Sequence, residues 1–226
     1  MTPETEVRRP RRDAVENRAG ILAAAHVALA NDPRASVDAI ARQAGLSRRA
    51  LYGHFDDRDA LVRELVAQGA ERFNAIATGI DDTDARIALA RLAARLLDAA
   101  AHVQVLAAIA LDDAHVAETA DALAPLRRTV ARIVHDGQGE HVLREDVAAP
   151  TLARLVEETA RTVITRMDAS APEAGLLAVR AVLSIAGLSW RESEELLGAH
   201  PEVLESASAQ AEAPEAAAAP VEAASA

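Results

Sequence analysis

Arg48, Arg49, Tyr52 and His54 crowd into one short stretch of the chain, immediately behind Ser47. An arginine can bond two acceptors on a guanine edge at once, whereas tyrosine and histidine more often reach phosphate. Such a set suits the reading of a nucleic acid; a solvated charged face beside a buried tyrosine is the plainer use of the same residues. What precedes them decides between the two. From Ser36 the pattern is that of a short helix ended by Gly45, which supplies the left-handed backbone that a side chain would penalise. Ala41, four residues earlier, is small enough to let a second helix cross closely. Ile40, Ala44, Leu46 and Leu51 fall where two steeply crossing helices bury apolar contacts, and Ser47 offers its hydroxyl to the free amides of the second helix. The spacing predicts a helix-turn-helix, whose second member is built to lie in a DNA major groove. Ser36 and Arg58 open the flanking helices, where free amides and the dipole favour a phosphate. Helix capping explains Ser36 equally well.

Other chemistries find less support. His135, Asp136, Glu140 and His141 could offer metal ligands, but no HExxH pattern accompanies them, and HDGQGEH reads as a two-glycine loop between helices. His102 and His115 flank an apolar segment, and either could bond a ligand or simply be a satisfied histidine. A metal-assisted hydrolase built on the histidine-rich loop is the rival from the enzyme class. No nucleophile–base arrangement or phosphate-cradling glycine loop supports it. The expectation is therefore no enzyme, no metal and no cofactor.

The elements that must position the arginine pair are helical throughout. Alanine, leucine and arginine dominate, aromatics are 2 %, and no segment alternates for long like a half-buried strand. Residues 1–12 read as a flexible arm with two Arg-Arg pairs, able to enter a minor groove or to track phosphates, or merely a soluble tail. A first helix is expected from Asp13 to Leu29, with Val15, Ile21, Leu22, Ala25 and Leu29 inward, so that residues 13–58 form a three-helix head. Asp56 or Asp57 should cap a long helix through Leu61, Leu65 and Phe73, a lever from the head into a helical body over residues 59–200. Its end is marked by Gly79 and DDTD. In the next helix Leu89, Leu92, Leu96 and Leu97 face inward, and Arg91, Arg95 and Asp98 form a polar stripe. A short apolar helix is expected over His102–Leu111, and Pro125 should kink or divide the helix from Ala114 to His135. Two further helices follow, Thr151–Met167 and Pro172–Leu188, and then a last one capped by the Ser189/Glu192 box and ending near Gly198. The Ala/Glu-rich tail from residue 201 has almost nothing large to bury and should be disordered.

Three segments carry a family resemblance. ILAAAHVALA (21–30), IARQAGLS (40–47) and LYGHF (51–55) follow one another in the order and approximate spacing of the tetracycline-repressor (TetR) family of bacterial transcriptional regulators, which the chain resembles over about its first third. The link NDPRAS puts Ser36 where that family has a threonine, and Arg58 stands for its lysine. The resemblance implies an all-α fold, with a DNA-binding head and a C-terminal dimerisation and ligand-sensing domain. It implies a regulator, most often a repressor, with three partners: a double-stranded DNA operator, a second copy of itself and a small-molecule effector. DNA-binding residues would be Ser36, Ser47, Arg48, Arg49, Tyr52, His54 and Arg58. The last two long helices would pair with their counterparts in a dimer, and Pro172–Leu188, apolar on nearly every face, suits this, with Leu183 in the interface. Phe73, His102, Ile109 and Thr159 are the candidate lining of an effector site for a largely apolar compound. A regulator without a small ligand, controlled by a protein partner or by abundance, is the alternative.

The net charge of −11 does not exclude DNA. Residues 1–66 hold 11 arginines against 10 acids, and the remainder 13 against 25, so acid is concentrated away from the proposed DNA-reading end. The chain has no cysteine, hence no disulfide and no thiolate metal site. No segment reads as a signal peptide, and the most apolar stretch, Ala174–Trp190, is short for a membrane span and interrupted by Arg180. A cytoplasmic protein with no membrane partner is expected.

Overall fold

Pro10 opens the first helix, at the position where its fixed φ and missing N–H cost least. The structure, a computed structural model, describes residues 10–101, 116–166 and 173–205, and among these the secondary structure is helical with no strand. Helix α1 spans Pro10–Asn31, so residues 10–12 are helical and not part of the arm the sequence suggested. Residues 1–9 lie outside the described residues. Short helices α2 (Val37–Gln43) and α3 (Arg48–Tyr52) follow, then the long α4 (Arg58–Thr78). Asp57 is the cap of α4, its Oδ1 accepting from the Ala60 amide at 2.6 Å.

Two compact units divide the chain, and the division falls within α4, after Arg72. In the first unit α1 packs against α2 and α2 against α3. Ile21, Leu29, Ile40, Leu51, Leu61 and Val62 are fully buried together there, with Phe55 and Leu65 beside them. Each such side chain contributes roughly 1.5–3 kcal/mol of burial. Helix α6 (Val116–Ala122) also belongs to this unit.

The second unit begins at Phe73 and includes α5 (Ala85–Ala101), α7 (Ala124–Gly139, from Pro125 on), α8 (Ala149–Arg166), α9 (Ala174–Ala186) and α10 (Trp190–Ala199). Leu89, Leu92, Leu96 and Leu97 of α5 are buried as their spacing predicted. Helix α9 packs chiefly on α5 and α8. Arg91 is not on a solvated stripe: only 16 % of its side chain is exposed, it bonds Asp82 at 2.9 Å, and Glu202 lies 3.8 Å away. Pro125 divides the helix as expected, at the start of α7, where the Asn74 side-chain oxygen accepts from the Leu126 amide. The expected loop at His135 is helix instead. It continues to Gly139, and Gly137 within it is pressed against Leu143 and Ala85, where an added Cβ would come within 2.7 Å of both.

Helix α9 ends on Gly187 at φ 113°, and Ser189 with Glu192 forms the predicted capping box of α10. Trp190, at the start of α10, is 66 % exposed, with the Arg191 guanidinium 4.7 Å from its ring centre. The body reaches past residue 200: Pro201–Val203 forms a 3₁₀ turn with Val203 buried. Residues 206–226, the rest of the expected tail, lie outside the described residues, as does the expected helix at 102–111. No helix among the described residues is long and apolar enough to cross a membrane.

Candidate nucleic-acid interface

Helix α2 stops where Gly45 takes φ 67°. The Leu46 amide then donates back to the Ala41 carbonyl at 2.9 Å and the Gly45 amide to Arg42 at 3.1 Å, the paired bonds of a Schellman end. The chain turns at once into α3, whose first free amides are met by Ser47: its Oγ accepts from Ala50 N at 3.2 Å. Ser36 does the same for α2, accepting from Ala39 N at 3.2 Å. Both serines thus act as N-caps, and their hydroxyls hold the ends of the two helices.

Helix α3 is five residues long, held inward by Leu51, and its outer face carries the arginine pair. Arg48 is already engaged. Its Nη1 donates to Asp38 Oδ2 of α2 at 3.1 Å and its Nη2 to the Tyr52 hydroxyl at 3.4 Å, with the guanidinium carbon 5.4 Å from the Tyr52 ring centre. The Tyr52 hydrogen bond, and then the Asp38 charge, raise the Arg48 pKa further above its ordinary value. Arg49 is exposed and its side chain has no partner among the described residues. Tyr52 is 40 % exposed beside them. His54 lies past the end of α3 and is half-buried. Arg48, Arg49 and Tyr52 therefore share one short exposed helix, with His54 beyond it.

Arg58 is turned elsewhere. Its Nε donates to the Ala35 carbonyl at 3.1 Å and its Nη2 to that of Pro33 at 2.8 Å, tying the start of α4 to the α1–α2 link. Two residues that sequence reasoning passed over complete the arrangement. Asp38 orients Arg48. Arg18 of α1 binds both oxygens of Glu64 on α4, at 3.2 and 2.9 Å, and donates to the His54 carbonyl at 2.6 Å. Its signal was present: Arg18 stands three and four residues before Ile21 and Leu22, on the stripe that α1 buries, where an unpartnered charge is costly.

Of the candidate effector residues, Phe73 on α4 and Thr159 on α8 are half-buried in the second unit, and the Thr159 hydroxyl donates to the Leu155 carbonyl of its own helix at 2.8 Å. His102 and Ile109 lie outside the described residues. The four side chains of the metal candidate find separate partners or none: Asp136 faces Arg132 at 3.6 Å and His141 meets Glu145. No group of three metal-ligating side chains occurs among the described residues.

Residues 21–65 match the family described as bacterial regulatory proteins, tetR family. No curated protein matches the chain. Among solved structures, the TetR family transcriptional regulator PfmR from Thermus thermophilus has a TM-score of 0.64 at 20 % identity, covering 75 % of this chain and 98 % of its own. AmtR of Mycobacterium smegmatis gives 0.59 at 20 %, over 87 % and 98 %. The regulator FadR of Bacillus subtilis, solved in complex with stearoyl-CoA, gives 0.61 at 16 %, over 75 % and 97 %. At such identities the likeness is one of fold. The fold is similar to that of TetR-family regulators, and the helix-turn-helix falls within the matched segment. Residues 21–65 carry the N-terminal segment of the tetR family itself.

Proposed function

We propose that this chain is a sequence-specific DNA-binding repressor. It would act as a homodimer on an inverted-repeat operator, and a small, largely apolar ligand would release it. The observation that carries the reading is the outer face of α3, where Arg49 has no partner among the described residues and Arg48 is held between Asp38 and Tyr52 on a helix capped by Ser47. An arginine with an unspent planar fork suits bidentate contact with a guanine. We assign base reading to Arg49 and a shared role of phosphate and groove-edge contact to Arg48, Tyr52 and His54. Ser36 and Ser47 serve by holding α2 and α3, and Arg58 by holding the loop before α2.

A second copy is supported by Leu155 of α8 and Leu177 of α9, which are 41 % and 48 % exposed. Two-fold symmetry of such a dimer calls for an inverted repeat. The ligand class follows from the second unit, whose described core is leucine, isoleucine, valine and alanine. Phe73, His102, Ile109 and Thr159 remain the proposed lining. The FadR neighbour was solved with an acyl-CoA, which is apolar at one end.

Fluorescence anisotropy on the DNA upstream of the protein's own coding region tests the reading. Binding should exceed that of a shuffled duplex, and log affinity should fall linearly with log salt as counterions are released. Fatty acyl compounds should release the operator, and operator should weaken ligand binding by the same factor. Binding that tracks only DNA length would defeat the reading, and operator affinity indifferent to every apolar compound would leave a regulator without a small ligand.

A further inference from the structure

We propose that Arg18 is a positioning residue for base recognition: through the His54 carbonyl and Glu64 it fixes the C-terminal end of α3, and operator discrimination depends on it. The inference rests on the DNA-binding reading above. Helix α3 has five residues and cannot hold its own direction. Its N-terminal end is secured by Ser47 and the Schellman turn. Its far end closes on backbone alone, the Gly53 amide donating to the Arg49 and Ala50 carbonyls and the His54 and Phe55 amides to that of Leu51, and the His54 carbonyl lies beyond this ladder.

Arg18 adds an anchor from outside the helix. Each of its three guanidinium nitrogens has an acceptor: Nε and Nη2 grip the two Glu64 oxygens, and Nη1 donates to His54 O at 2.6 Å. The guanidinium carbon sits 4.2 Å from the centre of the Phe55 ring, itself buried in the head core. One planar group thereby joins α1, the turn after α3 and α4. A lysine carries the same charge but is a point donor without the fork, and it cannot hold a carboxylate pair and a carbonyl together. Three of its N–H donors are spent on protein and Glu64 pairs its charge, so Arg18 is placed to hold the turn and not to meet phosphate. It should act on where Arg49 points and not on how many counterions the protein displaces.

The test uses the full-length chain, its Arg18→Lys variant, and the tightest duplex selected from a random pool by the wild type, against a shuffled duplex. Arg18→Lys should lower the preference for the selected duplex by about 5- to 150-fold, the worth of one well-aligned bidentate base contact. Affinity for the shuffled duplex and the slope against log salt should not change, because charge is conserved. Glu64→Gln should lower the preference too, and the double variant should lose less than the two singles combined. Hydrogen exchange at the amides of 50–55 should speed up in Arg18→Lys while that of α1 is unchanged. A variant that keeps wild-type preference, that loses affinity equally on both duplexes, or that leaves exchange at 50–55 unchanged overturns the inference. A wild type that prefers no duplex instead defeats the DNA reading, and the exchange result still decides whether Arg18 holds α3.

Discussion

Arg58 and Arg18 show how far a residue's role is written in its type. As a cation at the start of α4, Arg58 reads as a phosphate ligand. In the structure its donors are turned to the carbonyls of Pro33 and Ala35, both left outside any helix by the link between α1 and α2. Replacing Arg58 by alanine is expected to lower the stability of the head by about 1.5–3 kcal/mol, the range for hydrogen bonds involving a charged group. The slope of log affinity against log salt should stay as it was. A slope shallower by about one unit would return a phosphate to Arg58. The capping serines and Gly45 were legible because their partners are three or four residues away along one helix end. Arg18 and Glu64 were not, since one sequence offers no means of pairing positions so far apart. Only the misfit of an arginine on a buried stripe marked the site.

Elements were legible where periodicity or a cap defined them. The Ser189 box, the division at Pro125 and the inward leucines of α5 are of this kind. The stretch at His135–Gly139 failed because glycine has two uses. There it yields room for Leu143 and Ala85 and does not break the helix, and nothing in the local sequence separates those uses. On α8, Glu157 illustrates a balance that burial chiefly tips. Desolvation raises its pKa above the ordinary carboxylate value, assisted by Glu158 and opposed by Arg127 and Arg154. The folded chain then holds that proton more tightly than the unfolded one. Its contribution to stability accordingly falls as pH rises from the ordinary value through the raised one, and the full cost remains above that. Glu157→Gln should therefore be more stable than the wild type at neutral pH, and the difference should shrink on acidification through the carboxylate range. Urea midpoints measured against pH check this, and parallel curves for the two proteins would contradict it.

At the scale of the whole molecule, apolar content alone pointed to the wrong leucine for a dimer contact. Pro172–Leu188 is apolar on nearly every face, but Leu183 is completely buried within its own unit, and Leu177 is the large side chain that α9 leaves exposed. Leu183→Glu should unfold the body, because it places a charge at a completely buried apolar site. Leu177→Glu should keep the wild-type melting behaviour measured at low concentration, yet sediment as a monomer and lose operator binding. A dimeric Leu177→Glu would move the interface away from this face of α9. A different use follows from Tyr52 and Trp190, the chain's sole tyrosine and sole tryptophan, which lie in different units and are both exposed. The molecule thus carries two native optical reporters that emit at different wavelengths, and tryptophan can also be excited alone. Tyrosine emission would register occupation of α3, and tryptophan emission would register changes where α9 gives way to α10. Contact with DNA and rearrangement of the body can then be timed against each other in one unlabelled sample.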